Sequence, residues 1–105
     1  MIFAVDIGNS NIAIGGVDDK KIHFIGRLST DKQKTDLEYA IDFHNIMEIF
    51  RVSKENVDGC IISSVVPQIT NIVKSATEQI FGGITMVLKS GIKTGLNIRL
   101  DNPAE

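Results

Sequence analysis

The apolar run Ile2-Phe3-Ala4-Val5 passes without a break into Asp6-Ile7-Gly8-Asn9-Ser10-Asn11, and this junction restricts the fold more than any other stretch of the chain. A continuous apolar run suits a strand buried on both faces, since a solvated face would call for alternation with polar residues. The Asp6 carboxylate then stands at the end of rigid backbone, directly before a bend. Gly8 can take backbone angles closed to other residues, while Asn9, Ser10 and Asn11 favour tight turns and offer backbone and side-chain donors to an anion. On the hexapeptide alone two readings stay open. One is a phosphate-handling turn; the other is a hairpin turn whose Asp and Asn only satisfy local backbone groups. The segment lacks the lysine of G-x-x-x-x-G-K-[ST] and does not match G-x-G-x-x-G, so neither common nucleotide loop describes it.

Downstream, Ile12 to Val17 returns as a second strand, Asp18-Asp19-Lys20-Lys21 marks a turn, and Ile22 to Leu28 forms a third strand. Two close reversals predict an antiparallel meander. Thr35 and Glu38 match the S/T-x-x-E capping box, and Leu37, Ala40, Ile41, Phe43, Met47 and Phe50 supply an apolar stripe, so a helix is expected near 36–51. Cys60 to Val66 suits a buried central strand, and Pro67 can open the helix that follows because its missing N–H is harmless there. In Ser63-Ser64-Val65-Val66-Pro67 the serines are expected to cap that helix and the valines to fill the core. Ile69, Ile72, Val73, Ala76 and Ile80 recur at helical spacing, Gly82-Gly83 supplies a stop, and a short strand is expected over 84–88. Ser90 to Gly95 reads as a polar loop whose Lys93 could attract an anionic substrate or nucleotide, although a single lysine there is more often simply solvated, and Leu96 to Leu100 alternates before the Asp101-Asn102-Pro103 break. The resulting order, βββαβαβ, predicts an α/β domain with a mixed sheet and flanking helices.

Bulk properties narrow the function classes. The chain has 105 residues, 43% of them hydrophobic and 23% charged, which suits one globular domain with one core. A formal net charge of -2 with no basic block argues against a general nucleic-acid-binding surface. The N-terminal apolar stretch is too short for a membrane span or a signal peptide and is interrupted by Asp6. Cys60 is the only cysteine, so no intramolecular disulfide can form, and a reducing, cytoplasmic setting is expected. Its neighbours Gly59, Ile61 and Ile62 suit a buried structural thiol. His23 and His44 are far apart in sequence and form no ligand cluster.

A carboxylate and a small-residue turn between the first two strands of a βββαβα unit resemble the phosphate-binding feature of the ribonuclease H-like actin, Hsp70 and sugar-kinase superfamily. Within it, three segments together resemble type III pantothenate kinase: Asp6 to Asn11, Ser63-Ser64-Val65-Val66-Pro67, and Gly91-Ile92-Lys93-Thr94-Gly95-Leu96 running into Asp101-Asn102-Pro103. The resemblance implies ATP-dependent phosphorylation of pantothenate, the first step towards coenzyme A. By similarity, Asp6 organises Mg²⁺ through its waters and Gly8, Asn9, Ser10 and Asn11 contact phosphate; Ser10 replaces a common Thr and keeps the hydroxyl. A monovalent cation, potassium or ammonium, and a homodimer whose interface helps build the pantothenate site are also implied. Leu100 stands where many relatives have an aromatic residue lining the pantothenate pocket.

In the family, Asp-Asn-Pro leads within a few residues to a Gly-Ala-Asp-Arg motif that holds the catalytic carboxylate and a substrate-binding arginine, whereas this sequence stops at Glu105. The expectation is therefore a single N-terminal phosphate-binding domain over 1–105, with the general base and an ATP-closing second domain beyond Glu105. Members are also described as Baf-type accessory factors, which keeps a transcriptional regulatory or non-catalytic interaction domain as the alternative. The acidic chain without a DNA-reading motif favours the kinase description.

Overall fold

The structure, a computed structural model, describes residues 1–83 and 85–88. Three strands open the chain: β1 (Ile2–Ile7), β2 (Asn11–Val17) and β3 (Ile22–Ser29). Helix α1 (Asp36–Ile49), a 3₁₀ turn at Lys54–Asn56, β4 (Gly59–Ser64), α2 (Pro67–Phe81) and β5 (Thr85–Val87) follow. The five strands form one sheet in the order β3-β2-β1-β4-β5. β2 is antiparallel to both β1 and β3, while β1 and β4, and β4 and β5, run parallel. The predicted meander and the βββαβαβ order are both present, and the mixed α/β sheet is that of the actin, Hsp70 and sugar-kinase type. The segments at 90–95, 96–100 and 101–103, with Lys93 and Leu100, lie outside the described residues.

β1 is the central strand, as its unbroken apolar run requires. Alternate side chains leave it on opposite faces. Phe3, Val5 and Ile7 join Ile12, Ile14, Phe24, Cys60 and Ile62 beneath Tyr39 and Phe43 of α1 and Ile69 and Val73 of α2. On the reverse face Ala4, Ala13 and Val17 form a smaller cluster with Ile2, Ile22 and Ile25. Phe3 is the hub of the main core: its ring centroid lies 5.0 Å from Phe81, 5.7 Å from Phe43 and 6.5 Å from Phe24.

The expected Thr35–Glu38 capping box is formed, with the Glu38 N–H donating to Thr35 Oγ1 at 3.2 Å and the Thr35 N–H donating to Glu38 Oε1 at 2.9 Å. The buried stripe of α1 differs from the expected one. It consists of Tyr39, Ala40, Phe43, Ile46 and Met47, whereas Leu37 and Ile41 are 57% and 51% exposed. At 100° per residue, Leu37 and Ile41 fall on one side of the helix and Tyr39, Phe43 and Ile46 on the other, and the sheet takes the side with the larger rings. α2 buries Ile69, Val73 and Ala76 as its spacing predicts and stops at Gly82 in the left-handed region, φ 67°.

α1 ends before the expected position, with Phe50 as its C-cap. Arg51 follows at φ 58°, and the Val52 N–H donates to the Met47 carbonyl at 2.9 Å, closing a Schellman-type stop on a residue that carries a Cβ. Arg51→Gly is expected to stabilise the fold by about 0.5–1 kcal/mol in a urea titration, because glycine occupies this region without the steric cost. A destabilisation would show that the Arg51 side chain contributes more than its backbone costs.

Candidate functional site

At the carboxyl end of β1, Asp6 pairs in register with Ala13 of β2 and with Ser63 of β4. Its carboxylate therefore belongs to the reverse face of the sheet, beside the small residues there, and is partly exposed. Ile7 is buried, and Gly8 opens the turn into β2. Asn9, Ser10 and Asn11 are exposed at its tip. The expected residues Asp6, Gly8, Asn9, Ser10 and Asn11 thus form one continuous edge.

The turn's backbone bonding is specific. The Gly8 N–H donates to the Asn11 carbonyl at 2.9 Å, Thr30 Oγ1 donates to the Gly8 carbonyl at 2.8 Å, and the Thr30 N–H donates to the Ser10 carbonyl at 2.9 Å. Three carbonyls of the turn are therefore taken up. Among the described residues the Asn9 and Ser10 N–H groups donate to no carbonyl. The Asn side chains do not bond the turn's own backbone either, so among the described residues the turn is held chiefly by Thr30 rather than by Asx-type contacts.

Gly8 is used differently from expectation. Its φ lies outside the left-handed region, and what demands glycine is proximity: a Cβ there would stand 3.0 Å from the Asn11 carbonyl oxygen. A side chain would press on the hydrogen bond that closes the turn.

The junction of β4 and α2 lies against the same edge, with the Val65 N–H donating to the Ile7 carbonyl at 3.0 Å. Ser64 Oγ accepts from the Val66 N–H at 3.0 Å and from Thr70 Oγ1 at 3.0 Å. It fixes the backbone just before the helix, so the expected capping is displaced: Val66 is the N-cap and has no side-chain cap bond. Val66 fills the core, but Val65 is 57% exposed, contrary to the expectation for both valines. The first turn of α2 carries no acidic residue, so the positive end of its dipole meets no carboxylate within that turn.

Nothing in the local sequence of Thr30 marks it as part of the site. The pairing of Asn11 with Ser29 places the next residue of β3's strand path opposite Ser10, and that register is the only signal that could have found it. Cys60 is buried as expected, and burial pushes its thiol up to about 11, so it is an inert core group. Asp18 Oδ2 lies 2.6 Å from His23 Nε2 at the expected 18–21 turn, and this contact, with the Lys20 and Lys21 N–H groups, holds the Asp18 carboxyl well below its usual range. A cleft of about 520 Å³ lined by His44, Met47, Glu48, Arg51 and Ile80 gathers none of the expected site residues.

Comparison with known proteins bears on the family of the chain. The family model described as type III pantothenate kinase matches residues 2–105. Curated relatives named type III pantothenate kinase align over the whole chain, at 40% identity in Geotalea uraniireducens (strain Rf4), 41% in Citrifermentans bemidjiense and 37% in Halalkalibacterium halodurans. The chain spans 41% of the length of each of these relatives. A match that runs from residue 2 to residue 105 shows that the chain belongs to the type III pantothenate kinase family.

Proposed function

We propose that this chain supplies the first phosphate-binding turn of an ATP-dependent kinase that phosphorylates the primary hydroxyl of pantothenate to 4'-phosphopantothenate, the first step of coenzyme A biosynthesis. The observation that carries the reading is the state of the turn. Its Gly8, Ser10 and Asn11 carbonyls are bound within the fold, while the N–H groups of the exposed residues Asn9 and Ser10 donate to no carbonyl among the described residues. Backbone donors at a turn beside a helix N-terminus favour a bound anion.

Asp6 adds an anionic oxygen at the end of the central strand. A single carboxylate fits Mg²⁺, which keeps most of its waters and is held jointly by one or two carboxylates and substrate phosphates. No group of three or more His, Cys, Asp or Glu gathers among the described residues. Bound there, the cation would neutralise charge on the phosphoryl oxygens. The chain's own residues do the positioning: Asp6 orients the metal's waters, and Gly8, Asn9, Ser10 and Asn11 hold the phosphate. In phosphoryl transfer, positioning and charge neutralisation carry most of the catalysis.

The general base and the arginine for pantothenate belong, in this reading, to a Gly-Ala-Asp-Arg motif beyond Glu105, with a second domain that closes over ATP. The potassium or ammonium ion, the homodimer, the contact of Leu100 with pantothenate and the cytoplasmic location rest on the family resemblance. No helix among the described residues is long and apolar enough to cross a membrane. A panel of hydroxyl acceptors offered with Mg²⁺ and ATP to the protein at its relatives' full length tests the substrate. Phosphorylation of pantothenate above the other acceptors is the expected result, and preference for a sugar or glycerol would reassign the chain within the superfamily.

A further inference from the structure

Thr30 makes two hydrogen bonds that bracket the tip of the turn, through Oγ1 to the Gly8 carbonyl at 2.8 Å and through its N–H to the Ser10 carbonyl at 2.9 Å. In a planar trans peptide the N–H points opposite to the C=O of the same unit. Tying the Gly8 carbonyl to Thr30 therefore aims the Asn9 N–H away from Thr30, and tying the Ser10 carbonyl does the same for the Asn11 N–H. It also keeps two carbonyl oxygens, which would repel phosphate, off the face these donors present.

The clamp has its own anchor. Asp31, the next residue, donates its N–H to Tyr39 Oη at 3.0 Å and accepts from that hydroxyl through its carbonyl at 2.5 Å. Tyr39 is fully buried on α1, whose start is fixed by the Thr35–Glu38 box. A continuous path thus runs from the core, through Tyr39 and Asp31, to Thr30 and the turn.

We propose that Thr30 is a positioning residue for the phosphate turn: by holding the Gly8 and Ser10 carbonyls it orients the Asn9 and Asn11 N–H groups towards the phosphates of ATP. This rests on the phosphate-binding reading of the turn given above. The test uses the protein at its relatives' full length and compares wild type, Thr30→Val, Thr30→Ser and Asp6→Asn. Thr30→Val keeps the shape and removes the donor; it should lower kcat/KM for ATP by about tenfold or more, with KM for pantothenate and the unfolding midpoint little changed. Thr30→Ser, which retains the hydroxyl, should stay within about threefold of wild type.

Wild-type kinetics in Thr30→Val, while Asp6→Asn is crippled, would overturn the role of Thr30 alone. An equal loss in the Val and Ser variants, or a fall in midpoint with unchanged turnover per folded molecule, would make Thr30 merely structural and also overturn it. A wild-type protein without kinase activity, or an Asp6→Asn variant as active as wild type, would remove the phosphate reading on which the inference stands.

Discussion

Asp6→Asn, in the protein at its relatives' full length, is expected to lower pantothenate-dependent ATP turnover by about 100-fold or more, equivalent to about 2.7 kcal/mol of transition-state stabilisation. The substitution keeps the side chain's size at the end of β1, between Ala13 and Ser63, and removes its charge. Loss of a carboxylate that orients a cation's waters falls mainly on the chemical step, where charge develops on the phosphoryl group. Turnover should fall more than stability, because Asp6 is partly exposed and the main core, with Phe3, Val5 and Ile7, lies on the opposite face of the sheet. Steady-state kcat beside a thermal unfolding curve checks both halves. Unchanged turnover would take Asp6 out of the metal-and-phosphate role, and a collapsed unfolding midpoint would make it a structural residue.

Phe3→Ala should have the largest effect on stability, a loss of about 3–5 kcal/mol in the 105-residue chain. Phe3 is fully buried on the central strand and sits within 6.5 Å of the rings of Phe24, Phe43 and Phe81. Truncation removes its transfer free energy and opens a cavity that neither the sheet nor the two helices can close without breaking register. Small domains have only about 5–15 kcal/mol in total, so the variant should be near the edge of folding. Leu37→Ala, on the exposed side of α1, should change stability by about 0.5 kcal/mol or less and serves as the contrast. Urea denaturation of the two variants side by side reads the difference; similar losses would show that the core is not centred on Phe3.

Much of this fold is legible in local sequence because its elements are marked by local physics. The unbroken run before Asp6, the Thr35–Glu38 box, Pro67 at the start of α2 and Gly82 at its end each name a boundary through backbone or hydrogen-bond chemistry alone. Tyr39 escaped the predicted stripe because a hydroxyl usually argues against full burial, and only the Asp31 backbone explains why it is tolerated. Leu37 and Ile41 fit the expected stripe and are nonetheless exposed, because apolar character does not say which side of a helix the sheet will occupy.

The candidate site divides in the same way. Asp6 and the Gly8-Asn9-Ser10-Asn11 turn are contiguous, so composition reveals them. Thr30 reaches the turn through the β2–β3 register, a tertiary fact that no short window contains. Likewise the reason for Gly8 is not its own dihedral freedom but the nearness of the Asn11 carbonyl, which appears only once the turn has closed.

The most direct measurement is formation of 4'-phosphopantothenate from pantothenate and Mg²⁺–ATP, followed by mass spectrometry for the 105-residue chain and for the protein at its relatives' full length under the same conditions. If Asp6 to Asn11 is one half of a kinase site, the longer form makes product and the 105-residue chain makes none. Robust turnover by the 105 residues alone, or no product from the longer form together with salt-dependent binding to defined DNA, would contradict it.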